Sequence, residues 1–225
     1  MWYDRPGFGT SEDDGQTPTP RYIASVLHAT LAAANVKPPY ILIGHSLGGV
    51  RIRTFASIYP TDVAGLVFVD PTPDFTRTRE DDFRDVFVAL GLGRKEQAEM
   101  RGTPPSESPG MPKALLAELR MAEDLAASDF AEIRTLPPVP DVPVVVLVGE
   151  SDAEWPISNP RLSFDLRPWT DQWLRVRNAS LSRFASSLKQ GTFVSTPYSS
   201  HALQNSEPEL VAWAIARVLS RRSKR

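Results

Sequence analysis

The sequence predicts an α/β fold in which a mostly parallel sheet is flanked by helices. Short apolar runs suit strands that are buried on both faces, helical patterns separate these runs, and prolines cluster between elements rather than inside them. The chain has 225 residues, of which 21 are prolines and 41% are apolar. This length suffices for one domain with a buried core, with or without a small insertion.

Helical and strand patterns alternate along the chain. The first helix is expected to open at Pro20 behind a Thr19 cap, because Pro suits the first helical position and Thr the position before it. Helices are predicted over 20–35, 47–59, 81–90 and 113–134, with a last one from about Ser206 that carries a capping-box pattern. Buried strands are predicted over 40–43, 65–69, 142–148 and 192–195.

The segment between the second and third predicted strands has helical patterns and no apolar run typical of a strand. It holds two helical patterns separated by a loop rich in Gly, Pro and Ser over 102–112. We therefore predict a helical cap insertion over 71–141. The sheet-forming core would comprise 1–70 and 142–225.

Composition narrows the function classes. The net charge is −2 and there are no cysteines, so neither a nucleic-acid partner nor a disulfide or thiolate site is expected. No His cluster has metal-ligand spacing, and no cofactor or metal is implied. No run is long enough to span a membrane, and a cytoplasmic location is expected.

Residues 44–49, GHSLGG, lie directly between a predicted strand and a predicted helix. This is the context in which G-x-S-x-G forms a sharp turn that exposes a nucleophilic serine. Ser46 is the predicted nucleophile, and small residues are expected at Gly44 and Gly48 because side chains there would collide. The N–H of Leu47 is the predicted oxyanion donor at the start of the following helix.

A serine hydroxyl needs a base, and the chain offers three histidines. His28 lies inside the first helical pattern and is expected to be a surface or packing residue. His45 adjoins the nucleophile, so its ring is expected to point elsewhere and to pack or hydrogen bond locally. His201 lies in a loop after the last strand and is the predicted base.

The third member of a triad must orient the imidazole and stabilise its charged form. Asp152 follows the 142–148 strand closely, which brings it to the same sheet edge as Ser46 and His201, and it is the preferred candidate. Asp70 ends the 65–69 strand and is an alternative. Glu150 is a further alternative, ranked last because neighbouring side chains at a strand end face opposite ways.

These motifs resemble the α/β-hydrolase fold-1 family, which includes esterase/lipase-like, proline-iminopeptidase-like and haloperoxidase-like enzymes. The resemblance rests on YDRPGFGTS at 3–11, the 44–49 turn, VAGLVFVD at 63–70, GESD at 149–152 and Ser-His at 200–201. It covers the chain except the insertion, which is similar to the variable cap of that family. The order Ser, Asp, His also matches the family.

The sequence differs from the family pattern at its amino-terminal end. In the family, three strands and a loop that supplies a second oxyanion N–H precede the segment that begins at Met1. We therefore expect an amino-terminally truncated chain whose oxyanion hole keeps the Leu47 donor; losing one donor costs about 10²–10³ in turnover. The strand at 40–43 would then be an open apolar edge, which predicts self-association into a homo-oligomer.

The resemblance and the motifs together predict a serine hydrolase. It would cleave a carboxylic ester or related acyl bond of a small-molecule substrate through an acyl-Ser46 intermediate. The alternative is a non-catalytic ligand-binding protein or an inactive truncated hydrolase-fold protein. Trp155 and Trp169 are interpreted as core residues in preference to the lining of an acyl pocket.

Overall fold

The computed structural model describes residues 3–72, 79–101, 111–128, 130–151 and 162–222. Four strands form one sheet in the order β1-β2-β3-β4, and every neighbouring pair is parallel. The strands are β1 Tyr40–His45, β2 Val63–Val69, β3 Val144–Gly149 and β4 Gly191–Thr196. All four predicted strands and the α/β class are confirmed.

Helices connect the strands and cover both faces of the sheet. They are α1 Pro20–Ala33, α2 Leu47–Ile58, α3 Arg79–Ala89, α4 Arg94–Arg101, α5 Lys113–Ala127, α6 Ala131–Arg134, α7 Leu166–Ser187, α8 Leu203–Ser206 and α9 Pro208–Arg222. A 3₁₀ turn, Pro60–Asp62, precedes β2. Within the described ranges, no helix combines the length and the apolar character that crossing a membrane requires.

The helices differ from the prediction in three places. The pattern over 113–134 is broken into α5 and α6 at Phe130, whose φ of 53° is left-handed. Helices α4 and α7 were not predicted, and α7 is the longest at 22 residues. The last helix begins at Pro208, after the short α8, instead of near Ser206. Thr19 does cap α1, since its side chain accepts from the Tyr22 N–H.

The two faces of the sheet have separate apolar cores, because successive side chains of a strand point to opposite faces. One core joins the sheet to α1, α2 and α7. Its buried members are Ala24, Leu31, Leu42, Ile52, Phe55, Ala56, Val63, Leu66, Phe68, Val144, Val146, Val148, Leu181, Phe184 and Ala185. The other joins the sheet to α8 and α9. Its buried members are Val67, Val69, Val145, Leu147, Leu203, Ala214 and Val218.

An ion cluster ties the amino-terminal loop and α5 to α2. Arg5 makes two hydrogen bonds to the Glu118 carboxylate, at 2.8 and 3.1 Å. Arg51, on α2, lies 2.7 Å from the same carboxylate. Burial lowers the pKa of the Arg51 guanidinium, and the charge of Glu118 opposes that effect. One carboxylate therefore compensates two cations where three segments meet.

Strand β1 forms one edge of the sheet. Among the described residues its ladder partner is β2 alone. Ile43, near its end, leaves 47% of its surface exposed, although its neighbours in the strand are apolar. An apolar strand with unpaired backbone groups has the character expected of an open sheet edge.

Candidate active site

Ser46 occupies a sharp turn between a strand and a helix. β1 ends at His45 and α2 begins at Leu47, so the reversal is completed in one residue. Ser46 has a φ of 53°, which is unusual for a residue with a Cβ and costs about 1–3 kcal/mol. Its N–H donates to the Val69 carbonyl at 3.1 Å, which ties the turn to the end of β2. The predicted strand–serine–helix geometry is confirmed.

Two glycines make this turn sterically feasible. A Cβ at Gly44 would lie 2.4 Å from the carbonyl oxygen of Gly48, and one at Gly49 would lie 2.7 Å from Pro71 Cβ. A Cβ at Gly48 would meet no atom of a non-neighbouring residue within 4 Å. The expected crowding is therefore confirmed at Gly44 and wrong at Gly48. Crowding occurs at Gly49 in place of Gly48, because the first turn of α2 packs against Pro71, which follows β2.

The start of α2 is the electropositive side of the candidate site. Leu47 is the first residue of this helix, and the first four N–H groups of a helix have no intrahelical acceptor. Their partial positive charge favours an anion beside the Ser46 hydroxyl. The Leu47 side chain packs against a cluster that includes Val50 and Met121, which holds this end of α2 against α5.

His201 reaches the same edge of the sheet from the loop after β4. Its Nδ1 lies 2.7 Å from Oδ2 of Asp70, the residue that directly follows β2. The imidazole is one-third exposed, whereas the carboxylate is 1% exposed. A buried carboxylate on Nδ1 selects the tautomer whose Nε2 accepts a proton.

The other oxygen of Asp70 is held from two sides. Oδ1 accepts the Gly149 N–H at 2.9 Å, at the end of β3. It also accepts a hydrogen bond from Arg177 on α7, whose side chain is 1% exposed. Hydrogen bonds to both oxygens fix the plane of the carboxylate, and the guanidinium compensates its buried charge.

The carboxylate that contacts His201 in the structure is Asp70, the second-ranked of the three candidates. The sequence favours Asp152 as the partner of His201 and keeps Asp70 and Glu150 as alternatives. Asp152 lies outside the described residues, and the Glu150 side chain is exposed. Among the described residues, the carboxylate at His201 Nδ1 is that of Asp70, at the end of the strand next to β1.

The loop that carries His201 is fastened at its base. The Thr196 and Ser199 hydroxyls both donate to Oε2 of Glu207, which precedes α9. The Ser151 N–H donates to the Ser199 carbonyl at 3.1 Å. These bonds join the loop to the end of β3 and to the start of the last helix.

Two further residues that the sequence singles out, His28 and Trp169, pack against other side chains. His28 stacks on Tyr59 with ring centroids 4.0 Å apart and lies 3.0 Å from Asp62, as expected for a packing residue. Trp169 is buried and stacks on Trp173, which confirms its interpretation as core. Trp155 lies outside the described residues.

Comparison with known proteins identifies the family. A sequence model described as the alpha/beta hydrolase family matches residues 2–214. The chain belongs to the alpha/beta hydrolase family.

Solved structures of this hydrolase fold include a thermophilic esterase from Thermogutta terrifontis, 24% identical, with a TM-score of 0.54. The match covers 97% of this chain and 78% of that one. The structure of E-2-(acetamidomethylene)succinate hydrolase is 19% identical with a TM-score of 0.58, and the match covers 95% of this chain and 78% of that one.

Curated relatives match this chain over shorter segments. An uncharacterized Schizosaccharomyces pombe protein is 40% identical over 68 residues, which is 30% of this chain. The matched segments amount to 13%, 27% and 7% of the lengths of three such relatives. The chain therefore spans well under two-thirds of the curated relatives it matches.

Arg177 is a residue of the candidate site that the sequence did not predict. It lies on α7 between Leu174 and Leu181, at spacings of three and four residues that place all three on one buried face. A cation at such a position indicates a buried anion nearby, since a lone buried charge is costly. The signal was hidden because α7 itself was not predicted.

Proposed function

We propose that this alpha/beta hydrolase is a serine hydrolase that cleaves a carboxylic ester or related acyl bond. Ser46 would be the nucleophile, His201 the general base, Asp70 the orienting acid and Leu47 an oxyanion donor. The observation that carries the proposal is the 2.7 Å contact between His201 Nδ1 and a buried carboxylate, at the same edge of the sheet as a serine held at positive φ. Nucleophile, base and orienter are the parts that acyl transfer requires.

In the first half of the proposed reaction, Ser46 Oγ attacks the acyl carbon while His201 Nε2 takes its proton. The carbonyl oxygen becomes an oxyanion, which the Leu47 N–H and the α2 dipole stabilise. His201 then protonates the leaving alkoxide, so that an alcohol departs and an acyl-Ser46 ester remains. The Asp70 carboxylate stabilises the imidazolium while it carries the proton.

In the second half, water replaces the alcohol. His201 takes a proton from the water as the water oxygen attacks the acyl carbon of the Ser46 ester. Collapse of the second oxyanion breaks the bond to Ser46 Oγ, which recovers its proton from His201. The products are a carboxylic acid and an unchanged enzyme.

The helices between β2 and β3 would form the cap that shapes the substrate site, over 71–141. Helix α5 supports this role, because its residues Met121 and Leu125 pack on Val50 and Leu47 of the nucleophile helix. Helix α3 contributes Val86 and Phe87, which are fully buried against α7 and therefore belong to packing. Substrate selectivity is accordingly expected to depend on the α5 side of the insertion.

The proposal is tested by reaction with a fluorophosphonate followed by peptide mass spectrometry. Phosphonate on Ser46 and release of p-nitrophenol from p-nitrophenyl esters are the expected results. Rates measured with a series of esters of increasing acyl length show which acyl length the protein prefers. Ser46→Ala is the matched control, since Ala keeps the Cβ at the positive-φ position and removes the hydroxyl alone.

The outcomes separate the two functions considered. Labelling and ester hydrolysis that both vanish in Ser46→Ala would support the hydrolase. A folded protein that leaves Ser46 unlabelled and hydrolyses no ester in the series would contradict it. That result would favour a non-catalytic ligand-binding protein.

A further inference from the structure

The loop that carries His201 crosses the ends of three strands. It leaves β4 at one edge of the sheet, while Ser46 follows β1 at the other edge. Neighbouring strands lie about 4.8 Å apart, so the ends of β4 and β1 are separated by about 14 Å. A catalytic base carried so far from its own strand needs anchoring on the way, because an unrestrained loop would not hold the imidazole in one place.

The first two strand ends provide such anchors. At β3, the loop passes so close that a Cβ on Gly149 would lie 2.4 Å from the Ser200 carbonyl oxygen and 2.5 Å from that of Ser199. At β2, Asp70 binds the His201 imidazole at 2.7 Å. The second contact holds the side chain of His201 and does not involve its backbone.

The third strand end contacts that backbone through His45. Nε2 of His45, the last residue of β1, lies 2.8 Å from the backbone oxygen of His201. A carbonyl oxygen only accepts hydrogen bonds, so His45 Nε2 carries a proton and donates it. The two imidazole rings also pack together, with centroids 4.6 Å apart and planes tilted by 43°.

We propose that His45 is a positioning residue that anchors the His201 backbone to the strand bearing the nucleophile. Because His45 directly precedes Ser46, a single tether links the base loop to the residue next to the serine. The bond fixes the His201 backbone while Asp70 fixes its ring, and the two together determine where Nε2 lies. His45 acts through His201 and makes no contact with the substrate in this proposal, which rests on the proposed function of Ser46.

Three variants test the tether. His45→Leu removes the donor and keeps an apolar side chain of similar bulk. His45→Gln restores an N–H donor at a similar distance from the backbone. His28→Leu is the matched control, because it removes the histidine that stacks on Tyr59.

Two measurements are made on each variant. In ester hydrolysis, His45→Leu is expected to lose at least about tenfold in kcat with KM changed by less than about twofold, because a misplaced base slows chemistry and leaves binding intact. His45→Gln is expected to recover most of kcat. In hydrogen exchange, the peptide spanning 197–204 is expected to exchange about fivefold faster in His45→Leu, as one lost hydrogen bond implies.

The exchange measurement needs no activity, so it distinguishes failure of the tether from failure of the proposed function. An inactive wild type whose loop still loosens in His45→Leu would leave the tether standing and refute the hydrolase. An active wild type with unchanged kcat in His45→Leu, or without rescue by His45→Gln, would overturn the proposal. So would unchanged exchange over 197–204. If His45→Leu fails to fold, His45→Asn replaces it in the comparison with His45→Gln. The Asn side chain is too short for its amide to reach the His201 carbonyl, so His45→Asn is expected to behave as His45→Leu would.

Discussion

Replacing Asp70 with Asn is the perturbation that most sharply tests the proposed acid. An Asn at this position would keep an oxygen toward its two donors, the Gly149 N–H and the Arg177 guanidinium. Its NH₂ would then face His201 Nδ1, 2.7 Å away in the native protein. Nδ1 would have to accept, so the proton would move to Nε2, and the imidazole could no longer take the Ser46 proton.

The expected loss is about 10⁴-fold in kcat, the size found when an orienting Asp is replaced and the wrong tautomer results. That factor corresponds to about 5.4 kcal/mol of transition-state stabilisation. The same change leaves the Arg177 charge uncompensated and is expected to lower the free energy of unfolding by about 3–5 kcal/mol. Circular dichroism and urea unfolding therefore accompany the p-nitrophenyl ester assay, to establish that the variant is folded at the assay temperature.

Asp152→Asn is the matched control, and its kcat is expected to stay within about threefold of the wild type. A folded Asp70→Asn that keeps more than a tenth of the wild-type kcat would refute the assignment. A loss of more than a hundredfold in Asp152→Asn would refute it equally, and this second arm remains informative if Asp70→Asn does not fold.

Four further substitutions test the surrounding structure. Gly44→Ala is expected to abolish ester hydrolysis, because its Cβ would lie 2.4 Å from the Gly48 oxygen. Gly48→Ala is expected to retain activity, because its Cβ would meet open space, and equal activities would contradict the packing of the turn. Glu118→Gln is expected to lower the free energy of unfolding by about 3 kcal/mol in urea titration, because two arginines lose their carboxylate; an unchanged midpoint would show that the cluster is dispensable. Ile43→Lys is expected to shift light-scattering mass toward the monomer, since a charge discourages pairing at the β1 edge. A wild type that stays monomeric at high concentration would refute the self-association.

The sheet was predictable because its strands follow a simple rule. Strand β2 is buried at every position, and a parallel strand covered on both faces reads as an uninterrupted apolar run. The serine turn was equally predictable, since G-x-S-x-G between a strand and a helix has few other uses. His201 followed by elimination from three histidines and from its place after the last strand.

Helix α7 was not predictable by the same means, because its buried face is partly polar. Thr170, Arg177 and Ser180 occupy positions where periodicity looks for apolar side chains. The burial of Arg177 is explained by a partner distant in sequence, Asp70, which no local pattern indicates.

The sequence alone does not settle the choice between Asp152 and Asp70, for a related reason. Both residues follow a buried strand closely, so position along the chain does not separate them. The difference lies in which strand is the neighbour of β1, and in the cation that Arg177 brings to Asp70. Such facts emerge only when the strands and helices are assembled.

A crystal structure of the fluorophosphonate-treated protein would test the central claim most directly. The account predicts phosphorus bonded to Ser46 Oγ, His201 Nε2 within about 3.2 Å of that oxygen, and the Asp70 carboxylate on Nδ1. An adduct on another residue, or an imidazole turned away from Ser46 with a different carboxylate on its Nδ1, would contradict it.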